Sequence, residues 1–275
     1  MLRTDLGRQV GVLALAVVAT VVAFLGSGAF GGTPIAEAAD GALSASATPV
    51  APGSPAFSIW SVIYTGLLAY AVWQVLPARR EDPRQRRMGW LAAASMVLNA
   101  LWILVVQAGV LWLSVVVIVA LLVVLVAILR VCVAVPHRSL IEAVLVDGTF
   151  GLYLGWVTIA TIANTAAALS ASDVGPLGLG ERLWSVILLI TAAMIGLAFA
   201  LQTGGRIAFA LALTWGLAWV AIARVTGEPR YPSVAAAAGA AAVATIGSAV
   251  VVRVQRLLAE RSARRLASAE AAVGE

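Results

Sequence analysis

The sequence predicts an all-α polytopic membrane helix bundle with about eight transmembrane helices, and three observations carry that prediction. Hydrophobic residues occupy 62% of the 275 positions, charged residues only 11%, and mean hydropathy is +1.00. A soluble domain of this length needs far more polar surface. Second, crossing the hydrocarbon takes about 20 mostly apolar residues per helix, and such runs fall at about 9–30, 55–77, 89–108, 110–131, 144–169, 182–201, 205–225 and 232–252. Third, all eighteen basic residues are Arg, and they are sorted by side. Threading from a cytoplasmic N-terminus puts fifteen on inner segments and leaves only Arg182, Arg224 and Arg230 outside. That positive-inside asymmetry predicts both termini in the cytoplasm, as in a bacterial plasma membrane.

The first run is followed by AEAAD, which a signal peptide could carry. Its apolar stretch is longer than the roughly 7–15 residues of a signal h-region, so a retained helix is expected. The outer loop 31–54 is rich in Gly, Ala, Ser and Pro, and loops of that length are lids or linkers. After the second run, PARREDPRQRRMG reads as a solvated charge run with a topological role. A tight turn at Gln107–Val110 makes the third and fourth helices antiparallel neighbours. The eighth run, SVAAAAGAAAVATIGSAVVV, is almost all small residues and suits close helix packing. From Arg253 a basic, helix-prone tail is expected at the inner surface, where anionic lipid attracts it.

Several chemistries lack their residues. Cys132 and His137 each stand alone, which removes disulfides, Cys/His metal sites and Ser-His or Cys-His pairs. No soluble basic face is present for nucleic acid, and no cofactor is expected. Glu142, Asp147 and Glu181 precede helices, where acids suit the helix dipole.

The informative residues are aromatic and polar groups inside the apolar runs. Of nine Trp, Trp90, Trp112, Trp184 and Trp73 lie near helix ends, as an interfacial belt requires. Trp156 and Trp215 lie near the middle of their spans, where an indole N–H needs a partner. In the fifth run Tyr153, Trp156, Ala160 and Asn164 recur on one helical face, Thr158, Thr161 and Thr165 form a second stripe, and Gly151 and Gly155 permit close approach of another helix. Trp60 and Tyr64 share a face of the second helix, as do Asn99 and Trp102 of the third. The residues alone leave two readings open. The polar groups glue helices together, or the three faces enclose an aromatic pocket.

These stretches resemble a known family. GLYLGWVTIATIAN is similar to the fifth-helix signature of the TspO/MBR tryptophan-rich sensory proteins, related to the peripheral-type benzodiazepine receptor, with Tyr153, Trp156, Ala160, Thr161 and Asn164 in register. LNALW matches the third-helix pattern through Asn99 and Trp102, and PAFSIWSVIYTGLLAYAVW the second through Trp60 and Tyr64. The resemblance covers about residues 8–170 and implies a five-helix core (1–170), often dimeric, with a hydrophobic pocket under the first outer loop. It leaves three additional helices (171–252) and the tail 253–275 outside the family's usual length. By position, Trp60, Tyr64, Asn99, Trp102, Tyr153, Trp156, Ala160 and Asn164 would line or adjoin that pocket. The implied partner is a tetrapyrrole-like hydrophobic small molecule such as a porphyrin, with a sensory, regulatory or transport role. Departures are clear: the Pro expected before the fifth-helix Tyr is Leu152, and TAAALS replaces the aromatic and Arg run linked to sterols. The alternatives are a passive or secondary transporter of apolar molecules and, less favoured, a tryptophan-assisted porphyrin-degrading enzyme. A secondary transporter lacks a visible repeat and mid-membrane charge, a passive conduit stays open, and the enzyme lacks an acid/base pair or metal site.

Overall fold

A computed structural model of the protein describes residues 2–28, 33–172 and 179–273. Among them eight helices are long and apolar enough to cross a membrane. They are α1 (Leu2–Gly26), α2 (Ile59–Trp73, entered through a 3-10 turn at Ser54–Ser58), α3 (Pro83–Gln107), α4 (Leu111–Ala134), α5 (Leu140–Ser170), α6 (Glu181–Thr203), α7 (Ile207–Thr226) and α8 (Pro232–Val273). The all-helical expectation holds, and so does the expected number of spans.

α1 packs along α3, α3 against α4, and α4 against α5, while α2 leans across between α1 and α5. That closes a five-helix ring. α7 lies on the far side of α5, α8 packs on α7, and α6 joins the bundle chiefly through α8. Glycine makes the α5–α7 contact possible. A Cβ on Gly151 would come 2.8 Å from the Ala208 Cβ, one on Gly216 would come 2.6 Å from Ile159 Cγ2, and one on Gly155 would run into the Phe209 carbonyl. Close backbone approach is what small residues give a membrane interface. The Gly151/Gly155 pair therefore serves a helix outside the ring. α1 forms one wall of the bundle, with Val12, Ala16 and Ala23 buried.

The ends of the bundle differ. At the Arg-rich end, Asp82 caps α3 by accepting from the Arg84 amide at 2.8 Å, with Pro83 next in line. The Arg84 side chain turns inward and is only 1% exposed. Its guanidinium donates to Glu142 at 2.9 Å and to Asp147 at 2.7 Å. Arg206, at the start of α7, donates to Asp147 and to the Cys132 carbonyl. Asp147 is carried by a π-helical turn, Ala143–Gly148, inside α5. π-turns are rare and tend to mark positions where a side chain must be re-aimed. No break occurs at Leu152, in line with the missing proline.

Some expectations need correction here. Glu142 and Asp147 act as ion-pair partners for buried guanidinium groups. The charge run between α2 and α3 is only partly solvated, because it delivers Arg84 into the bundle. Trp73 is buried beneath the Arg79 guanidinium, 4.5 Å from its ring centroid, whereas Trp90 and Trp112 are exposed as a belt requires. His137 lies in the connection between α4 and α5 and is half-exposed, its Nδ1 3.6 Å from Asp147. The tail continues α8 without interruption past Arg253, as one helix that at 1.5 Å per residue runs about 60 Å.

Candidate functional site

At the opposite end, residues 33–58 between α1 and α2 fold over the bundle as a roof. It dips between the helices, so Phe57 meets Trp156 edge-on at 5.5 Å and the Ala56 carbonyl accepts from Trp215 Nε1 at 2.9 Å. Both partners lie near the middle of their spans, which explains how a mid-membrane Trp215 finds its partner.

Beneath the roof the aromatic residues of α2 and α5 interlock. Trp60 stacks on Tyr64 one turn below, with centroids 5.3 Å apart and planes 26° apart. Its ring stands edge-on to Tyr153 at 5.8 Å and to Trp156 at 6.3 Å. Edge-on and offset geometries of this kind suit the aromatic quadrupole. From α3, Asn99 donates to the Tyr64 hydroxyl at 2.6 Å. From α5, Asn164 donates to Ser114 of α4 at 3.0 Å, closing the ring on that side. The Thr stripe is spent within its own helix: Thr158, Thr161 and Thr165 donate to Leu154, Val157 and Thr161 carbonyls.

The interlock encloses a cavity of about 50 Å³ bounded by Trp60, Asn99, Trp102, Trp156, Ala160 and Asn164, with Leu43, Thr48 and Phe57 above. It adjoins a second space of about 410 Å³ that shares Leu43, Phe57, Trp60 and Trp102 and extends past Tyr64 to Ala23 and Phe24 of α1. The larger space falls in the size range of small-molecule sites, about 300–1,000 Å³. No charged side chain lines either one. Polar atoms are nevertheless left over: Trp102 Nε1, Trp156 Nε1 and Thr48 Oγ1 are buried without a protein partner. Leaving such a donor unpaired costs about 1–3 kcal/mol.

Of the eight residues singled out in the sequence, six border the small cavity and Tyr64 borders the larger one. Tyr153 borders neither. It is fully buried behind Trp60 and donates to the Ser95 carbonyl at 3.1 Å, so it supports the wall from behind. Sequence reasoning missed the roof residues Leu43, Thr48 and Phe57, which lie in an irregular segment with no periodicity to read. It also missed Arg224, a lone cation in an apolar run. Such a residue points inward or to a functional contact by default.

A model of the family described as TSPO-like protein matches residues 10–251, which includes the roof, all eight residues above and the membrane-crossing parts of α6, α7 and α8. No curated protein and no solved structure matches the chain.

Proposed function

Because the chain belongs to the TSPO-like protein family, we propose that its aromatic cavity binds flat, hydrophobic small molecules of the tetrapyrrole type. Binding is the step through which the protein senses or regulates. The observation that carries the reading is an apolar, charge-free void walled by Trp60, Trp102 and Trp156. Stacking and apolar burial supply affinity without a precise hydrogen-bond code. In this reading Trp60, Trp102, Trp156 and Ala160 contact the ligand, Asn99 and Asn164 set the helix positions, and Tyr64 and Tyr153 hold Trp60. The Arg-rich end faces the cytoplasm, following the charge asymmetry.

Binding is favoured over passage across the bundle. A conduit needs an exit at the Arg-rich end, and there Arg84, Glu142, Asp147 and Arg206 occupy the interior between α3, α5 and α7.

Titration of detergent-purified protein with protoporphyrin IX dimethyl ester, followed by tryptophan quenching, tests the proposal. Saturable binding that Trp156→Phe weakens about tenfold, or 1.4 kcal/mol, is expected. Quenching that rises linearly without saturation, in wild type and variant alike, contradicts it.

A further inference from the structure

The exposed residues in the wall of the larger cavity come from α1 (Phe24, 52% exposed), α2 (Ser61) and the rim of the roof (Ala36 and Ser54). α1 and α2 are tied together at the Arg-rich end, where Gln9 donates to the Gln74 carbonyl at 2.7 Å and Gln74 donates back to the Gln9 carbonyl at 2.9 Å. Towards the roof the cavity lies between them, and the same stretches of α1 and α2 carry the exposed apolar residues Val21, Leu25 and Val62.

The roof itself is fastened, and the fastening comes from outside the five-helix ring. Arg224 near the end of α7 is 1% exposed, and its guanidinium donates to the Ala45 and Thr48 carbonyls. One turn away, the Trp219 carbonyl accepts from the Gly53 amide at 3.2 Å. A further turn down, Trp215 donates to Ala56. Three successive turns of α7 thus grip residues 45–56. A polar cleft beside Asp40 and Gly109 lies above the roof and shares Thr48 and Ala167 with the small cavity. Thr48 separates the two, and its carbonyl is one of those Arg224 holds. A guanidinium buried on carbonyl groups is costly to release, because opening the roof would strip its hydrogen bonds.

We propose that α7 locks the roof shut, so that the cavity is loaded sideways from the bilayer, between the roof-end halves of α1 and α2, by an uncharged molecule already dissolved in lipid. The charge-free lining fits that ligand class, since a buried carboxylate would lack a partner. The proposal rests on the reading of the cavity as a ligand site. It gives α7 a role in that site: a fixed ceiling that leaves the side mouth as the entrance.

The roof lock can be made covalent. A Cβ at Gly53 would sit 3.5 Å from the Ala223 Cβ, within reach of a disulfide, which spans about 3.5–4.5 Å between Cβ atoms. In a Cys132→Ser background, Gly53→Cys with Ala223→Cys fastens the roof when oxidised and frees it when reduced, with closure scored by thiol titration. The full chain is reconstituted in phosphatidylcholine vesicles, and protoporphyrin IX dimethyl ester, an uncharged probe, is delivered from donor vesicles. Tryptophan quenching follows its loading. Oxidised and reduced forms are expected to load at rates within about twofold of each other. Ser61→Phe, which narrows the side mouth at an exposed position of the cavity wall, is expected to slow loading about tenfold, because access acts on the association rate. The diacid, held at the headgroups by its carboxylates, is expected to load more slowly than the ester.

Loading that slows about tenfold on oxidation and recovers on reduction would place the entrance in the roof and overturn the proposal, while the cavity remains a ligand site. Wild-type loading rates in Ser61→Phe, or faster loading of the diacid, overturn it equally. Absence of saturable quenching in the wild type removes the ligand site itself, and the route with it.

Discussion

The two ends of this bundle bury polar groups differently. At the Arg-rich end, Arg84 sits between two carboxylates and Arg206 adds a second cation to one of them, so this network sets charge against opposite charge, while the buried Arg8 donates to the Arg79 and Arg80 carbonyls. At the roof end, Trp102 and Trp156 bury indole N–H groups that meet nothing, beside a void. A helix bundle in lipid has little hydrophobic force to hold its members together and relies on packing and hydrogen bonds. The paired end supplies that hold across α3, α5 and α7. At the roof end the aromatic residues leave a void where close packing would stabilise the bundle, and such departures are expected at functional sites.

The contrast can be broken or sharpened by substitution. Arg84→Ala leaves Glu142 and Asp147 short of their shared cation; breaking a buried pair costs about 3–5 kcal/mol, so little folded protein is expected on size-exclusion chromatography in detergent. Adding Glu142→Gln and Asp147→Asn should restore a share of it. A stable Arg84→Ala protein would mean that the network does not hold the bundle. Next in size, Gly155→Ala forces α7 away from α5 and should lower thermal stability by about 1–3 kcal/mol, the usual cost of overpacking. Trp156→Phe is expected to act on the other axis, with about tenfold weaker ligand binding (1.4 kcal/mol) and a smaller loss of stability. Asn164→Ala removes the bond to Ser114 and should cost about 0.6–1.7 kcal/mol in denaturation assays, as interhelical hydrogen bonds do. Tyr231→Phe should be close to silent. Its phenol donates to Glu181 at 3.0 Å in an exposed position, and surface changes of that kind fall within about 0.5 kcal/mol.

Much of this architecture was legible in the chain. Hydropathy marked the spans, because lipid demands a run of apolar residues wherever a helix crosses it. Helical periodicity put Trp60 with Tyr64, Asn99 with Trp102, and Trp156 with Ala160 and Asn164, and the fold brings these three faces together around one cavity. Other features left no such trace. Tyr153 shares the stripe of Trp156, yet its hydroxyl is spent on Ser95, because a face several residues wide touches more than one neighbour. The roof has no period to follow. Glu142 and Asp147 looked like dipole partners because nothing local reveals that Arg84 and Arg206, 58 and 59 residues away, come to meet them. Arg224 looked like an outer-loop charge for the same reason. In each case the missing information was a contact distant in sequence, which neither composition nor periodicity carries.

The central claim is that the roof-end cavity is a ligand site whose wall is Trp156 and whose backing is Tyr153. Its most direct test is a titration of Trp156→Phe and Tyr153→Phe with protoporphyrin IX dimethyl ester side by side, with thermal unfolding of each protein measured in the same detergent. The account predicts that Trp156→Phe loses about tenfold in affinity, while Tyr153→Phe loses about 1 kcal/mol of stability and keeps near wild-type binding. Equal losses of affinity in the two variants, or none in either, would contradict it.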